Sequence, residues 1–280
     1  MTVMDSDFYQ NMNVIDCKEC YGCKVEILEY KNLKGSTDIQ LAGDLFLAKE
    51  SGMSLKQIKI TLNDSSFIVE AGTLHFMKGR IQAESNIGGV GGFIKKKIKS
   101  YLTEEEAFKP KYRGTGELFL EPSFGHFIFV ELKDESIVVD KGLFYACESS
   151  LHVSVEMQKN ISSGFLGNEG WFQTKITGSG LCILQIPVPK DEVLKYHLDN
   201  EKLQVDGNFA LLRKGNINFT VEKSSNKWTG TLVSGEGLLQ TFEGSGEVWL
   251  APTQSIYNNL QTSGGIARLQ ESKNMNNETK

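Results

Sequence analysis

No apolar run in this 280-residue chain approaches roughly 18 residues, so no segment reads as a membrane-spanning helix. Positive charge is not in excess. The 30 Lys and Arg stand against 35 Asp and Glu, net −5, which argues against a protein that lives on nucleic acid, since neutralising phosphates takes clustered cations. The start of the chain, Met1-Thr2-Val3-Met4-Asp5-Ser6-Asp7, lacks the basic and apolar stretches of a secretion signal, and the expected compartment is the cytoplasm. No Gly-x-Ser-x-Gly elbow and no P-loop ending appears. What is present is an apolar fraction of 40%, enough to build a core and to exclude disorder across the chain.

Cysteine is sparse and odd in number, at five. Cys147 and Cys182 sit inside apolar runs and read as small buried hydrophobes. Cys17, Cys20 and Cys23 are spaced by two residues each, a spacing that can wrap a metal. No fourth Cys or His lies nearby, so the expectation is a reduced, unligated cluster and no bound metal.

The strongest feature is self-similarity. Leu62-Asn63-Asp64-Ser65-Ser66-Phe67-Ile68-Val69-Glu70 aligns without a gap on Leu132 to Asp140 and on Leu198 to Asp206. A second element recurs in phase with it: Gly114-Thr115-Gly116, Gly178-Ser179-Gly180 and Gly244-Ser245-Gly246, each followed by an apolar run. Ala42-Gly43-Asp44-Leu45-Phe46-Leu47 reads as a weaker, earlier copy. Short runs rich in β-branched and aromatic residues, such as Phe127-Ile128-Phe129-Val130, predict strands. The polar Asn63-Asp64-Ser65-Ser66, Lys133-Asp134-Glu135-Ser136 and Asp199-Asn200-Glu201-Lys202 predict hairpin connections, and the paired glycines predict bulges or bends. The predicted organisation is an N-terminal extension at 1–40 and a triplicated all-β body at 41–262, with units near 41–113, 114–177 and 178–260. A polar tail at 263–280 follows. One inserted helix is predicted at 93–102, behind Gly88-Gly89-Val90-Gly91-Gly92, with Lys95, Lys96 and Lys99 opposite an apolar face that Lys97 interrupts.

The Gly-Ser-Gly elements, Val138-Val139-Asp140 with Phe144-Tyr145-Ala146, and Ser234-Gly235-Glu236-Gly237-Leu238 form an ordered set. Ala71-Gly72-Thr73-Leu74-His75-Phe76-Met77 and the glycine run before the basic helix complete it. Over roughly residues 55–265 this set resembles the altered-inheritance-of-mitochondria twenty-four family. The resemblance implies a fold like the tryptophan RNA-binding attenuation protein. Three β-sandwich or short double-stranded β-helix units would then stand around a pseudo-threefold axis. It implies no agreed activity: fungal members are tied to mitochondrial organisation, and there are no catalytic residues to carry over. The N-terminal extension with its cysteines departs from the pattern.

Candidate sites are few. His75, His126, His152 and His197 have no partner at metal spacing and sit at different places in the repeat, so satisfied histidines are expected rather than a metal enzyme. Glu70, Asp140 and Asp206 occupy equivalent positions; they could meet around a cation, but an acid before a glycine turn is expected to bond local amides. Thr115, Ser179 and Ser245 recur and read as structural, since a catalytic serine is normally unique. The glycine run at 88–92 reads as a hinge rather than a phosphate cradle. The expectation is therefore a protein without catalytic, cofactor-binding or metal residues. It would act as a homo-oligomeric interaction or scaffold module with protein partners, no nucleic acid, and at most weak membrane-surface contact. The alternatives are a cupin-like small-molecule-binding protein or enzyme, and a peripheral membrane scaffold using helix 93–102.

Overall fold

The computed structural model describes residues 10–84, 109–158, 171–223 and 238–261. The predicted helix 93–102, its glycine run and the polar tail lie outside the described residues.

The protein is all-β, with strands in antiparallel ladders. The strands are β1 (Met12–Cys20), β2 (Cys23–Tyr30), β3 (Lys56–Val69), β4 (Leu74–Glu84), β5 (Lys111–Leu120) and β6 (His126–Val139). They continue with β7 (Phe144–Glu148), β8 (His152–Gln158), β9 (Trp171–Ile186), β10 (Leu194–Asp206), β11 (Ala210–Lys223) and β12 (Leu238–Leu250). Two α-helices are described, α1 (Ile39–Glu50) and α2 (Gln254–Gln261). The chain divides into two compact units. One is built from residues up to 136, 141–156 and 174–186, the other from 137–140, 157–173 and 187 onward.

In the first unit β3 is the organising strand. Its first half pairs with β2 and its second half with β7, while β5 lies along its other edge. In β3 the apolar Ile58, Ile60 and Leu62 alternate with Gln57, Lys59 and Thr61, so they share one face, while Gln57 and Lys59 are buried on the other. These residues pack with Val25, Ile27, Phe67, Val69, Leu118 and Leu120 into one core. Polar groups buried alongside are satisfied. The Gln57 amide donates to Leu120 O at 2.8 Å and accepts from Tyr30 Oη at 2.9 Å. Lys59 pairs with Glu117 at 2.7 Å and lies 3.9 Å from Glu26. The second unit has its own core, with Leu198, Val205, Phe219, Phe242, Val248 and Leu250 packed between β10, β11 and β12.

One local device recurs. Asp64, Asp134 and Asn200 adopt φ of 47°, 54° and 55°, in the left-handed region that Asp and Asn tolerate. Each donates its backbone N–H to the hydroxyl between two glycines: Asp64 to Thr115 Oγ1 at 3.0 Å, Asp134 to Ser179 Oγ at 2.8 Å and Asn200 to Ser245 Oγ at 2.9 Å. The pairing register shifts there, so that Asn63 and Asp64 together oppose Thr115 between Leu62 and Ser65, and Asp199 and Asn200 oppose Ser245. These segments are bulges inside continuous strands, not the hairpin connections their polarity suggested: each puts two residues opposite one and bends the strand without reversing it. The glycines have a separate reason. A side chain on Gly116 would collide with Lys78 O, and one on Gly246 with Lys214 O, because Gly79 and Gly215 cross them at close range. The Gly-x-Gly strand β5 lies between β4 and β3, and β12 lies between β10 and β11.

Two further expectations change. Residues 12–30 form a hairpin, and β2 contributes Val25, Ile27 and Leu28 to the buried interior, so they are part of the β body rather than an extension. The weak early copy at 42–47 is helical. Asp38 caps α1 by accepting the Leu41 N–H at 2.9 Å, and Gly52, at φ 79°, ends it in a left-handed cap. Leu and Ala between those two caps favour helix over strand.

Candidate functional site

Helix α1 has an unusual surface. Its sequence, Ile39-Gln40-Leu41-Ala42-Gly43-Asp44-Leu45-Phe46-Leu47-Ala48-Lys49-Glu50, is apolar on nearly every side, yet none of its residues is buried. Ile39 is 92% exposed, Phe46 61% and Leu47 64%. Ala42, Leu45 and Phe46 form one wall of an open groove of about 550 Å³, whose other walls include Leu33, Met53 and Phe124. A 12-residue helix gains little stability from propensity alone and depends on packing an apolar face, and a helix apolar all round is normally covered. Lysine and acid flank the apolar surface, with Asp38 at the N-terminal end and Lys49 at the C-terminal end, where Lys49 Nζ reaches Asn32 Oδ1 at 2.7 Å.

A second cluster lies where three elements of the first unit meet. The two-residue turn Tyr21-Gly22 joins β1 to β2 and sets Cys20 opposite Cys23, with Cα atoms 5.0 Å apart. The two sulfurs are bonded in a disulfide, which replaces the reduced cluster expected from sequence: the turn's register, invisible in spacing alone, aims both side chains at one point. Cys17 stays a free, exposed thiol. The turn is fastened to the β3 bulge. Gly22 O accepts Asn63 N–H at 2.8 Å and Ser65 Oγ at 2.6 Å. The end of β7, adjacent to β3, brings Glu148 Oε1 to 3.8 Å from Cys23 Sγ. Glu148 Oε2 accepts the Leu181 N–H at 2.5 Å, and it has room because a Cβ on Gly180 would stand 3.0 Å from it. Cys20, Cys23 and Glu148 each offer a ligand atom, and these atoms lie within 4.8 Å of one another, the one such group of three among the described residues.

The other sequence candidates stay dispersed. His75 on β4 sits 3.2 Å from the Gln57 amide and edge-on to Phe76, and His126, His152 and His197 fall on β6, β8 and β10. None of them enters a cluster of metal ligands among the described residues. Glu70 accepts its neighbour's Ala71 N–H at 3.2 Å and pairs with Lys109, and no cluster joins it to Asp140 and Asp206. Thr115, Ser179 and Ser245 hold the bulges. Cys147 and Cys182 are fully buried opposite each other across β7 and β9, and burial pushes both thiols well above their ordinary pKa. Sequence reasoning missed Glu148 and α1. The only signals were an acid ending an apolar strand, and a Leu-rich run framed by Asp38 and Gly52.

A family model described as mitochondrial biogenesis AIM24 matches residues 26–253. An uncharacterised protein of Streptococcus pyogenes serotype M6 is 22% identical over 227 residues, covering 78% of this chain and 88% of that one. The X-ray crystal structure of a Streptococcus pyogenes protein is similar at a TM-score of 0.54 and 20% identity, over 71% of this chain and 88% of that one. It supports the all-β fold.

Proposed function

The chain belongs to the mitochondrial biogenesis AIM24 family, and from that starting point we propose that it is a non-enzymatic scaffold module that assembles with a second copy of itself through helix α1. The observation that carries this reading is a helix of 12 residues, rich in Leu, Ala and Phe, with none of them buried. A second copy fits it by charge and shape. Two α1 helices packed antiparallel about a twofold would set Ala42 against Leu45, with Leu41 and Phe46 on the flanks of the seam. The same pairing sets Asp38 of each copy against Lys49 of the other. The interface is self-complementary, as a twofold contact must be.

The reading is non-enzymatic because the four histidines lie on four different strands, β4, β6, β8 and β10, and the recurrent hydroxyls hold bulges. It excludes nucleic acid on the acidic balance of the chain. It extends to three units about a pseudo-threefold axis, supported by the recurrence of one bulge at Asp64, Asp134 and Asn200. It puts the protein in the cytoplasm, a compartment in which the Cys20–Cys23 pair would be held reduced. No helix of the described residues is long and apolar enough to cross a membrane.

The test is molar mass by light scattering on the full chain. The wild type is expected to be a dimer or a multiple of one, and Phe46→Glu to halve the mass with an unchanged circular dichroism spectrum. A wild type that is monomeric at all concentrations overturns the reading. A stoichiometric small molecule retained in native mass spectrometry, with a monomeric mass, would assign the groove to a ligand instead.

A further inference from the structure

We infer that Cys20, Cys23 and Glu148 form a binding site for a thiophilic divalent cation of the zinc type, filled when the cysteine pair is in its dithiol form. The inference is independent of α1 and of assembly.

The geometry is that of a small metal knuckle. The two-residue turn at Tyr21-Gly22 holds the cysteines in cross-strand register at a Cα separation of 5.0 Å, so both sulfurs converge. Two thiolates from one turn and a third donor from another strand suit zinc, which takes four ligands tetrahedrally and accepts sulfur with oxygen. Glu148 supplies that third donor. Its Oε1 lies 3.8 Å from Cys23 Sγ, and all three ligand atoms lie within 4.8 Å of one another. Water would fill the fourth position, on the exposed side of the turn.

The surroundings support the site rather than merely permit it. Zinc ligands are normally oriented by a second hydrogen bond, and Glu148 has one: the backbone N–H of Leu181 holds Oε2 at 2.5 Å and leaves Oε1 facing the sulfurs. The room for that carboxylate comes from Gly180, at φ 151° and without a side chain. The turn is anchored by two hydrogen bonds to Gly22 O from the β3 bulge, so the cysteines and Glu148 are positioned by backbone on three elements. Cys17 is exposed and is not among the converging donors, which separates the knuckle from the simple three-cysteine spacing.

The disulfide in the structure is the form that cannot bind, because its sulfurs are spent on each other. In a thiol-rich compartment the pair is held reduced. Metal uptake then releases two protons to solvent, one from each thiol, and forms two metal–sulfur bonds and one metal–oxygen bond.

Cobalt(II) is the probe, since it substitutes for zinc and reports thiolate ligation by a charge-transfer absorption. The full chain is reduced with a phosphine under argon, freed of reductant and titrated with cobalt. The expected result is one cobalt per chain with a sulfur-to-cobalt band, displaced by one equivalent of zinc. Cys23→Ser should abolish the band, and Glu148→Gln should weaken cobalt binding at least tenfold while the fold remains. Cys17→Ser should leave both unchanged. If Cys23→Ser does not fold, wild type with its accessible thiols alkylated should likewise show no band. A reduced wild type without a sulfur-to-cobalt band overturns the site, as does a Cys17→Ser variant that loses the band as fully as Cys23→Ser.

Discussion

Strand β2 and helix α1 follow one another in the chain and carry comparable apolar content, yet the protein treats them in opposite ways. In β2 the four consecutive residues Val25, Glu26, Ile27 and Leu28 are all buried, on both faces of the sheet. In α1 not one residue is. Each aliphatic side chain taken wholly out of water stabilises by about 1.5–3 kcal/mol. Strand β2 therefore contributes to folding the chain, whereas α1 holds comparable apolar surface in reserve. The contrast teaches that the apolar residues before β3 do not all go into the core: those of β2 lie inside it and those of α1 stay at the surface.

The comparison can be broken first in the core. Phe67→Ala, at a fully buried position in the β3 core, is expected to cost about 3–5 kcal/mol, read as a shift in the urea midpoint. Next come the glycines. Gly116→Ala would drive its Cβ into Lys78 O and is expected to cost about 3 kcal/mol. Gly178→Ala, whose Cβ would stand 3.3 Å from Ser150 O, should cost about 1 kcal/mol, because β7 and β8 break beside it where β4 runs on beside Gly116. Equal losses at the two glycines would mean that the close crossing at Gly79 has no part in the effect. Asp38→Ala removes the α1 cap and is expected to loosen that helix by about 1 kcal/mol, seen as faster amide exchange confined to 39–50. The smallest change is chemical. In the native protein Cys17 should react with a thiol reagent while Cys147 and Cys182 stay silent, because burial keeps both protonated and out of reach. Cys17, its pKa also raised, should react faster as pH rises, since its thiolate fraction grows.

Much of the β architecture is legible because its devices are local. Asp and Asn at 64, 134 and 200 tolerate a left-handed backbone, and the hydroxyl between paired glycines is the matching acceptor, so the recurring segments land in matching local geometry. The same polarity misled on connectivity: a bulge and a hairpin turn favour the same residues, Asp, Asn and Gly, and only the pairing on either side shows whether the strand continues or reverses. Helix α1 was hidden because Ala42-Gly43-Asp44-Leu45 imitates a Gly-x-Gly strand, and its caps at Asp38 and Gly52 lie outside that window. The N-terminal hairpin escaped because β1 is mostly exposed and β2 is buried on both faces, so neither shows simple alternation. The cysteine spacing announced a cluster, but Glu148 lies 125 residues from Cys23, and only the pairing of β7 with β3 unites them.

Amide hydrogen exchange across a dilution series tests most directly whether a second copy covers α1. The account predicts that amides in the second half of α1 are protected at high protein concentration and lose that protection on dilution, while those of β2 and β3 do not change. Exchange in α1 that is the same at every concentration would contradict it.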